Sequence, residues 1–458
     1  MSLFQYIFKE MIMRKFVLLF CLLVLSLTLV SCAPSKDGND IVTVRMWMMP
    51  NSLEPVIDIK EVLTPFEEAN PKIKVEVTLL DWGAAWTKIT TAATSQDTPD
   101  IVQLGSTWVG SISGMGALWD MNDKVGELGG AAAFVPAAWA TSGIIGSGKV
   151  TSIPWIVDAR ALYYRTDVLK AAGLTPKDLA TWDSFKASLT KIKDAKLTIE
   201  GLEIAPLGMP GKNDWNVVHN LSPWIWGAGG DFLSKDMKAS VLNSTQALKG
   251  VSFYISLVKA GLVPAEFLEL NTAQVSSNFN NGSVAMYFDG PYEVRTLTTP
   301  PAQGGAADSI TARNFGVLPY PKGPEGQYTF VGGSNLAIFK ASKNKEAAWK
   351  VVKYLTSDPG AQLDYTKACG FLPAYKKVFD NPYFSVSPAR KVFKEAIIYG
   401  KTYPCIPSWG MLEPILTRRF GILWDYVTGS GENVDMGDIQ KQLDLGKREV
   451  ESVLNQGE

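Results

Sequence analysis

The stretch from residue 41 to residue 105 alternates between strand-like and helix-like patterns, and this alternation restricts the fold more than any other feature. The segments "IVTVRMW", "IKVEVTLL" and "DIVQLG" are rich in β-branched or alternating apolar residues, a pattern that predicts strands. Between them, Pro55 to Ala69 carries apolar residues at helical spacing, and "AAWTKITTAATS" predicts a second helix. Strand, helix, strand, helix, strand is typical of a parallel sheet with crossover helices.

The carboxyl ends of these strands are candidate ligand contacts, because ligands on such sheets bind at that edge. We expect Trp108 to present an aromatic face to a ligand there. Asp81, Ser106 and Thr107 would add hydrogen-bonding groups, and Met48 would line an apolar edge.

The N-terminus has the features of a secretory signal. Lys9, Arg14 and Lys15 precede the uncharged run Phe16 to Val30, which is shorter than the roughly 20 apolar residues of a membrane span. The quartet "LVSC" resembles a bacterial lipobox and predicts a signal peptide over residues 1–31, lipidation of Cys32 and a flexible tether over 32–40. An ordinary signal peptide or an anchor helix is the alternative.

Composition removes several classes of function. The net charge is -1, so no basic excess exists to bind nucleic acid or an anionic surface. The sequence holds one histidine, His219, which we expect to be structural or at the rim of a site; Ser-His-Asp catalysis and multi-histidine metal sites therefore lack material. We predict no metal and no cofactor. Cys369 and Cys405 form a disulfide or stay as buried apolar residues, and the sequence leaves both open.

Seven segments in a fixed order carry a family resemblance that covers nearly the whole mature chain. The segments are "TPDIVQLGSTW", "IPWIVDARALYYRTDVLKAAGL", "TWDSFKASLTKI", "WIWGAGGD", "NGSVAMYFDGPYEV", "VGGSNLAIFKASKNKEAAWKVVKYLTSD" and "GFLPA". With them the sequence resembles the extracytoplasmic solute-binding lipoproteins of carbohydrate ABC transporters, of the maltose-binding-like class.

The resemblance implies an α/β fold of two lobes with hinge crossings and a ligand cleft between them. The crossings are expected near Ile156–Ala159, just before Gly332-Gly333, and around Gly370–Ala374. Lobe one would hold 41–157 and 328–371, and lobe two 158–327 and 372–458.

The resemblance also implies a division of labour among the candidate site residues. Aromatic faces cover the apolar faces of a sugar, whereas carboxylates, amides and guanidinium bind its hydroxyls. The expected platforms are Trp108, Trp226, Tyr292 and Trp409. The expected hydroxyl partners are Asp158, Arg160, Asp289 and Asn335, with Gly333 allowing close backbone approach.

Each candidate also has a structural interpretation: Trp108 as core, Asp158 and Arg160 as an ion pair at the hinge, and Asp289 as part of a turn. The expected function is to bind a sugar, most readily an oligosaccharide, and to deliver it to an ABC permease by closure of the lobes. The protein would be a monomer without catalytic activity, outside the cytoplasm and attached to the bacterial membrane by lipid alone. The alternatives are a binder of a polyol phosphate, polyamine or peptide, and an exported glycoside hydrolase, which would need two carboxylates at fixed separation.

Overall fold

The computed structural model describes residues 41–212, 214, 216–428 and 435–456. The predicted signal peptide, the lipidated Cys32 and the tether lie outside the described residues. The description concerns the unit that begins at Val42. Within the described ranges, no helix is both long and apolar enough to cross a membrane.

The predicted alternation at the start of the chain is confirmed. Strands β1 (Val42–Met48), β2 (Ile73–Leu79) and β3 (Ile101–Gly105) are joined by helices α1 (Pro55–Ala69) and α2 (Trp82–Ser95). Both neighbours of β1, namely β2 and β3, run parallel to it. Helix α1 has proline at its first position and buries one apolar face, and this stripe holds the helix against the sheet.

A seven-stranded sheet extends from this unit. It adds β4 (Ile153–Ala159), β10 (Thr329–Ile338), β11 (Leu372–Pro373) and β12 (Gly400–Lys401). The strand order is β11-β4-β10-β3-β1-β2, and β12 pairs with β10. Strand β10 runs antiparallel to both β3 and β4, so the sheet is mixed.

Two smaller sheets complete the strands. Strand β5 (Ala161–Arg165) lies between β8 (Met286–Asp289) and β9 (Phe315–Leu318), antiparallel to both. Strands β6 (Thr198–Ile199) and β7 (Leu202–Glu203) form a short hairpin.

The chain passes between the seven-stranded and three-stranded sheets at defined points. Arg160 alone separates β4 from β5, and residues 319–328 join β9 to β10. Strands β11 and β12, from the part of the chain expected in lobe two, pair with β4 and β10 of the larger sheet. The lobe boundaries stay a prediction.

The remaining helices lie around these sheets, and local sequence sets several of their ends. Thr181 caps one of them by accepting a hydrogen bond from the Ser184 N–H, and Asp358 caps another by accepting one from the Ala361 N–H. Their bounds are α3 (Val109–Gly114), α4 (Pro136–Trp139), α5 (Thr166–Ala171), α6 (Trp182–Ala195), α7 (Val217–Gly227), α8 (Thr245–Lys259), α9 (Thr272–Asn281), α10 (Tyr292–Thr298), α11 (Ile310–Arg313), α12 (Lys345–Ser357), α13 (Pro359–Cys369), α14 (Tyr383–Val386), α15 (Pro388–Ala396), α16 (Trp409–Thr428) and α17 (Met436–Asn455).

The two cysteines of the described chain are free thiols, and both are buried. Burial raises the pKa of Cys369 and of Cys405 to about 12. Of the two alternatives left open by the sequence, the structure therefore supports two small buried apolar side chains.

Candidate functional site

The junction between the two larger sheets holds a buried arginine surrounded by acceptors. Arg160 is 2% exposed. Its guanidinium lies 3.0 Å from Asp158 Oδ2 and donates to Asp289 Oδ1 at 2.7 Å. It also donates to Asn216 Oδ1 at 3.1 Å and to the Tyr292 hydroxyl at 3.2 Å. Residues of β4, β8 and α10, and the residue that precedes α7, therefore meet at Arg160. We call Arg160 and these four partners the Arg160 cluster.

Burial and charge oppose each other in this cluster. Burial raises the pKa of Asp158 and of Asp289, and the charge of Arg160 counteracts that rise. Burial alone would lower the pKa of Arg160, but Asp158, Tyr292 and Asp289 raise it well above its ordinary value. The guanidinium stays charged as a result, and its charge favours the ionised form of the two carboxylates.

Several polar atoms of the cluster lack a partner. Asp158 Oδ1, Arg160 Nε and Asp289 Oδ2 are buried and have no hydrogen-bond partner among the residues that the structure describes. A buried polar group without a hydrogen bond costs about 1–3 kcal/mol, so native proteins rarely keep one without a reason. Two acceptors and one donor in one place match the hydroxyl group, which both donates and accepts.

Tyr292 places an aromatic ring beside these atoms. It is the first residue of α10, directly after the turn that ends β8, and it is half-buried. Its hydroxyl donates to Asp289 Oδ1, while the ring meets Phe371 edge-on with centroids 5.4 Å apart. The hydrogen bond to Asp289 fixes the ring next to the carboxylates.

Trp108 lies at the carboxyl end of β3, where the sequence predicts a platform. It is half-buried, and its ring meets Trp82 and Trp86 of α2 edge-on, with centroids 5.7 Å apart in each case. The neighbouring Ser106 is buried, and its N–H donates to the Gly333 carbonyl at 3.0 Å. Ser106 is thereby tied to strand β10, while Trp108 keeps part of its surface open.

Glu413 is a further candidate site residue, which the sequence analysis does not contain. It lies in α16 with its side chain 18% exposed, and burial raises its pKa to about 7. Thr107 and Trp409, which lie beside the carboxyl group, oppose that rise. Glu413 therefore lies next to the end of β3 although it belongs to the last third of the chain, and no local sequence signal could have indicated this.

His219 is buried beside Glu413, with His219 Nε2 3.8 Å from Glu413 Oε1. Its Nδ1 shares a hydrogen bond with the Tyr403 hydroxyl at 2.9 Å, and its ring stacks on Phe330 with centroids 4.1 Å apart. Burial, together with the charge of Arg160, lowers the pKa of His219 to about 3. The imidazole is therefore neutral at physiological pH.

Two of the expected platforms belong to a buried aromatic cluster. Trp226 is 2% exposed and donates from Nε1 to Asp231 Oδ1 at 3.1 Å. Trp409 is 1% exposed and stacks on Tyr403, with centroids 4.6 Å apart. In this conformation their faces contact other protein groups, and their role as sugar platforms stays a prediction.

Asp81 and Asn335 have their polar groups engaged by nearby protein groups. Asp81 caps helix α2 by accepting hydrogen bonds from Gly83 N at 2.9 Å and Ala84 N at 3.3 Å. Asn335 is buried and donates from Nδ2 to the Thr141 carbonyl at 3.1 Å. Each residue therefore has a structural role, and contact with a ligand stays a prediction for both.

Met48 and Gly333 complete the expected set. Met48 is fully buried in the core. Gly333 has φ 124°, and a Cβ atom there would lie 2.1 Å from the Ile156 carbonyl oxygen, so only glycine allows β10 to approach β4 so closely. Gly333 therefore shapes the sheet beside the Arg160 cluster.

A separate contact lies between residues that follow β1 and α10. Leu53 is 51% exposed, and a Cβ atom at Gly304 would lie 2.8 Å from Leu53 Cδ1.

In the described part of the chain, no group of three or more His, Cys, Asp or Glu side chains is arranged to hold a metal ion.

Comparison with known proteins defines the class of protein. The family model described as bacterial extracellular solute-binding protein matches residues 54–362. The chain therefore belongs to this family, and the predicted resemblance is confirmed.

Individual relatives extend the match to most of the chain. The diacetylchitobiose binding protein DasA of Streptomyces coelicolor is 26% identical over 419 residues, which cover 89% of each chain. A putative binding protein of Brucella abortus is 26% identical over 413 residues, 90% of this chain and 93% of its own. The structure of the sugar-binding protein MalE from Xanthomonas citri aligns with a TM-score of 0.74 at 26% identity, covering 91% of this chain and 98% of that one. The α/β binding-protein fold is thereby confirmed.

Proposed function

We propose that this protein binds an oligosaccharide between two α/β lobes and delivers it to an ABC permease when the lobes close. The observation that carries the proposal is the Arg160 cluster, where buried carboxylate and guanidinium atoms lack hydrogen-bond partners within the described chain. Relatives named for diacetylchitobiose and for sugar binding support the same ligand class.

The chemistry of a sugar matches what surrounds the cluster. Each sugar hydroxyl donates one hydrogen bond and accepts others, so it can satisfy Asp158 Oδ1 and Asp289 Oδ2 as acceptors and Arg160 Nε as donor. Charge-assisted hydrogen bonds of this kind are about twice as strong as neutral ones. Tyr292 and Trp108 supply half-buried aromatic faces for the C–H surfaces of the ring.

Closure follows from where the cluster lies. Arg160 connects the two larger sheets, so a ligand that contacts its partners touches residues positioned by both sheets. A ligand shifts an equilibrium between open and closed forms by the difference in its affinity for them. A sugar that bridges Asp158, near the end of β4, and Asp289, at the end of β8, favours the closed form.

The cellular setting is part of the same proposal. Lipidation of Cys32 would keep the protein on the outer side of a membrane and raise its effective concentration near the permease. The protein would act as a monomer, with neither catalysis nor nucleic-acid binding among its activities.

The test is a ligand screen on purified residues 33–458. Thermal shift and tryptophan fluorescence are measured against mono- and oligosaccharides, including N-acetylated and maltose-type chains, with peptides, polyamines and polyol phosphates as controls. A melting temperature raised by one sugar class, with no product on chromatography, is the expected result. A response to a phosphate, amine or peptide but to none of the sugars would contradict the carbohydrate assignment.

A further inference from the structure

A small cavity lies between helix α10, the segment that leads into β11, and helices α14 and α15. Its volume is about 10 Å³. A cavity of roughly 10–15 Å³ by this measure holds about one water-sized atom. Its lining includes Arg295, Gly370, Phe371, Tyr383, Phe384 and Arg390.

Two arginines face this cavity without a matching carboxylate. Arg295 and Arg390 are both half-buried, and neither forms an ion pair with an acid of the described chain. The guanidinium of Arg390 lies 4.0 Å above the ring of Tyr383. Two cations on one cavity repel each other, and partial burial strengthens that repulsion because the local dielectric constant is lower than in water.

Other groups at the cavity do not compensate the positive charge. Burial raises the pKa of Tyr383, and the two arginines only oppose that rise, so its phenol stays neutral and can donate a hydrogen bond. Burial raises the pKa of Cys369, Arg295 opposes that rise and Asp58 adds to it. Asp58 forms an ion pair with neither arginine. The site therefore offers donors and positive charge in a space of atomic size.

We propose that this cavity binds a small inorganic anion, which places one atom, a halide ion or a single oxygen of phosphate, between Arg295 and Arg390. Guanidinium groups are the preferred partners of such ions because their N–H groups are fixed in a planar fork. The size of the cavity leaves the rest of a phosphate group in its open mouth.

The position of the site connects it with the junction between the sheets. Gly370 and Phe371 lead into β11, which pairs with β4, whereas Arg295 belongs to α10, which follows β8. Gly370 has φ 79°, and a Cβ atom there would lie 2.8 Å from the Tyr292 Cα atom, so this loop packs directly on α10. An anion held between Arg295 and Arg390 joins α10, which carries Tyr292, to α15, beside this loop.

The first experiment uses the unmodified protein. Crystals of residues 33–458 are soaked in sodium bromide, and anomalous scattering locates the bound bromide. We expect a peak within hydrogen-bonding distance of both guanidinium groups.

The second experiment measures melting temperature against sodium phosphate for three proteins. They are the wild type, the double variant Arg295→Gln/Arg390→Gln, and the control Arg313→Gln/Arg448→Gln, which loses the same charge at exposed positions. Because a ligand stabilises the folded state by mass action, saturating phosphate should raise the melting temperature by roughly 2 °C or more in the wild type and control. The Arg295/Arg390 variant should show no such rise.

The two arms separate the kinds of anion. A bromide peak assigns a halide, and an arginine-dependent phosphate response without that peak assigns an oxyanion. No peak in the cavity, together with equal phosphate responses in all three proteins, would overturn the proposal. If the double variant does not fold, the bromide peak and the melting temperature of the wild type with and without phosphate decide. No peak and no rise in melting temperature would then overturn the proposal. The sugar screen is independent, so it can succeed or fail on its own.

Discussion

The Arg160 cluster and the pair Asp81 and Asn335 contain similar polar side chains near strand ends or bulges. They differ in whether other groups of the described chain satisfy their hydrogen bonds. Asp81 accepts hydrogen bonds from backbone N–H groups at a helix cap, and Asn335 donates one to the Thr141 carbonyl. In the Arg160 cluster, buried acceptor and donor atoms remain without partners in the described chain. Residue type and place on a strand therefore do not decide whether a polar group is satisfied within the described chain, and we expect ligand contact where it is not.

Removing the cation of the cluster should give the largest effect. Arg160→Met leaves Asp158 and Asp289 buried without their cation, and loss of one partner of a buried ion pair costs about 3–5 kcal/mol. We expect a fall of that size in the free energy of unfolding, measured by urea denaturation, and loss of sugar binding.

The matched control is Arg165→Met. Arg165 is also fully buried, but its partner Asp167 has a side chain 24% exposed, which water can solvate. This variant should lose less stability than Arg160→Met and keep its affinity for sugar. Equal losses in both variants would contradict a special role for the junction.

Trp226 and Trp108 differ in burial, so their truncation should have different effects. Trp226→Ala removes a buried ring, and such truncations cost about 3–5 kcal/mol, so stability should fall by that amount. Trp108→Ala removes a half-buried ring and should cost less stability while lowering sugar affinity about tenfold, or 1.4 kcal/mol.

Urea denaturation and fluorescence titration separate the two losses. For the Trp226 variant, affinity is compared at a temperature where the protein is folded. An unchanged affinity in Trp108→Ala would remove this residue from the site.

Glu413 predicts a dependence of stability on pH. Its pKa is raised from 4.5 to about 7 in the folded state, so the folded protein holds a proton that the unfolded chain releases between those values. Stability therefore falls as pH rises through this window, by about 3 kcal/mol in all. Glu413→Gln should remove this loss and be more stable than the wild type at pH 8.

Urea denaturation from pH 4.5 to pH 8 measures the difference between the two proteins. Glu293, whose pKa burial raises to about 8, adds a slope of the same sign, so the variant flattens the profile only in part. Parallel profiles for Glu413→Gln and the wild type would contradict the charge state assigned to Glu413.

Asp81→Ala should give the smallest effect. The carboxylate caps α2, and loss of such a cap costs about 1 kcal/mol. Sugar affinity should change little, because both hydrogen bonds of Asp81 serve the helix. A large loss of affinity at preserved stability would move Asp81 into the same group as Arg160.

Local pattern predicted the elements whose cause is local. Helix α1 begins at Pro55 and ends at Ala69 as expected, because proline favours the first position and Asn70-Pro71 stops the helix. The two-residue strands β11 and β12 carry no such pattern, since they exist only through pairing with β4 and β10.

The candidate site follows the same division. Asp158, Asp289 and Tyr292 could be predicted from motif loops, whereas Asn216 was not, and the contacts of Arg160 join positions up to 132 residues apart. Glu413 could not be predicted, because it lies inside a helix without a recognisable motif and only the folded chain places it beside Thr107. The partner of Asn335, 194 residues away, was likewise beyond reach of the sequence.

The single-residue link at Arg160 has a practical consequence for fluorescence labelling. Ala159 and Ala161 cannot separate by more than about 7 Å whatever the angle between the sheets, so a dye pair placed there would not report ligand capture. With the predicted lobe boundaries, Leu53 belongs to lobe one and Gln303 to lobe two, so dyes at Leu53→Cys and Gln303→Cys, beside the contact of Leu53 with Gly304, would convert a change of that angle into a change of distance. The two cysteines of the described chain are buried and need not be removed first.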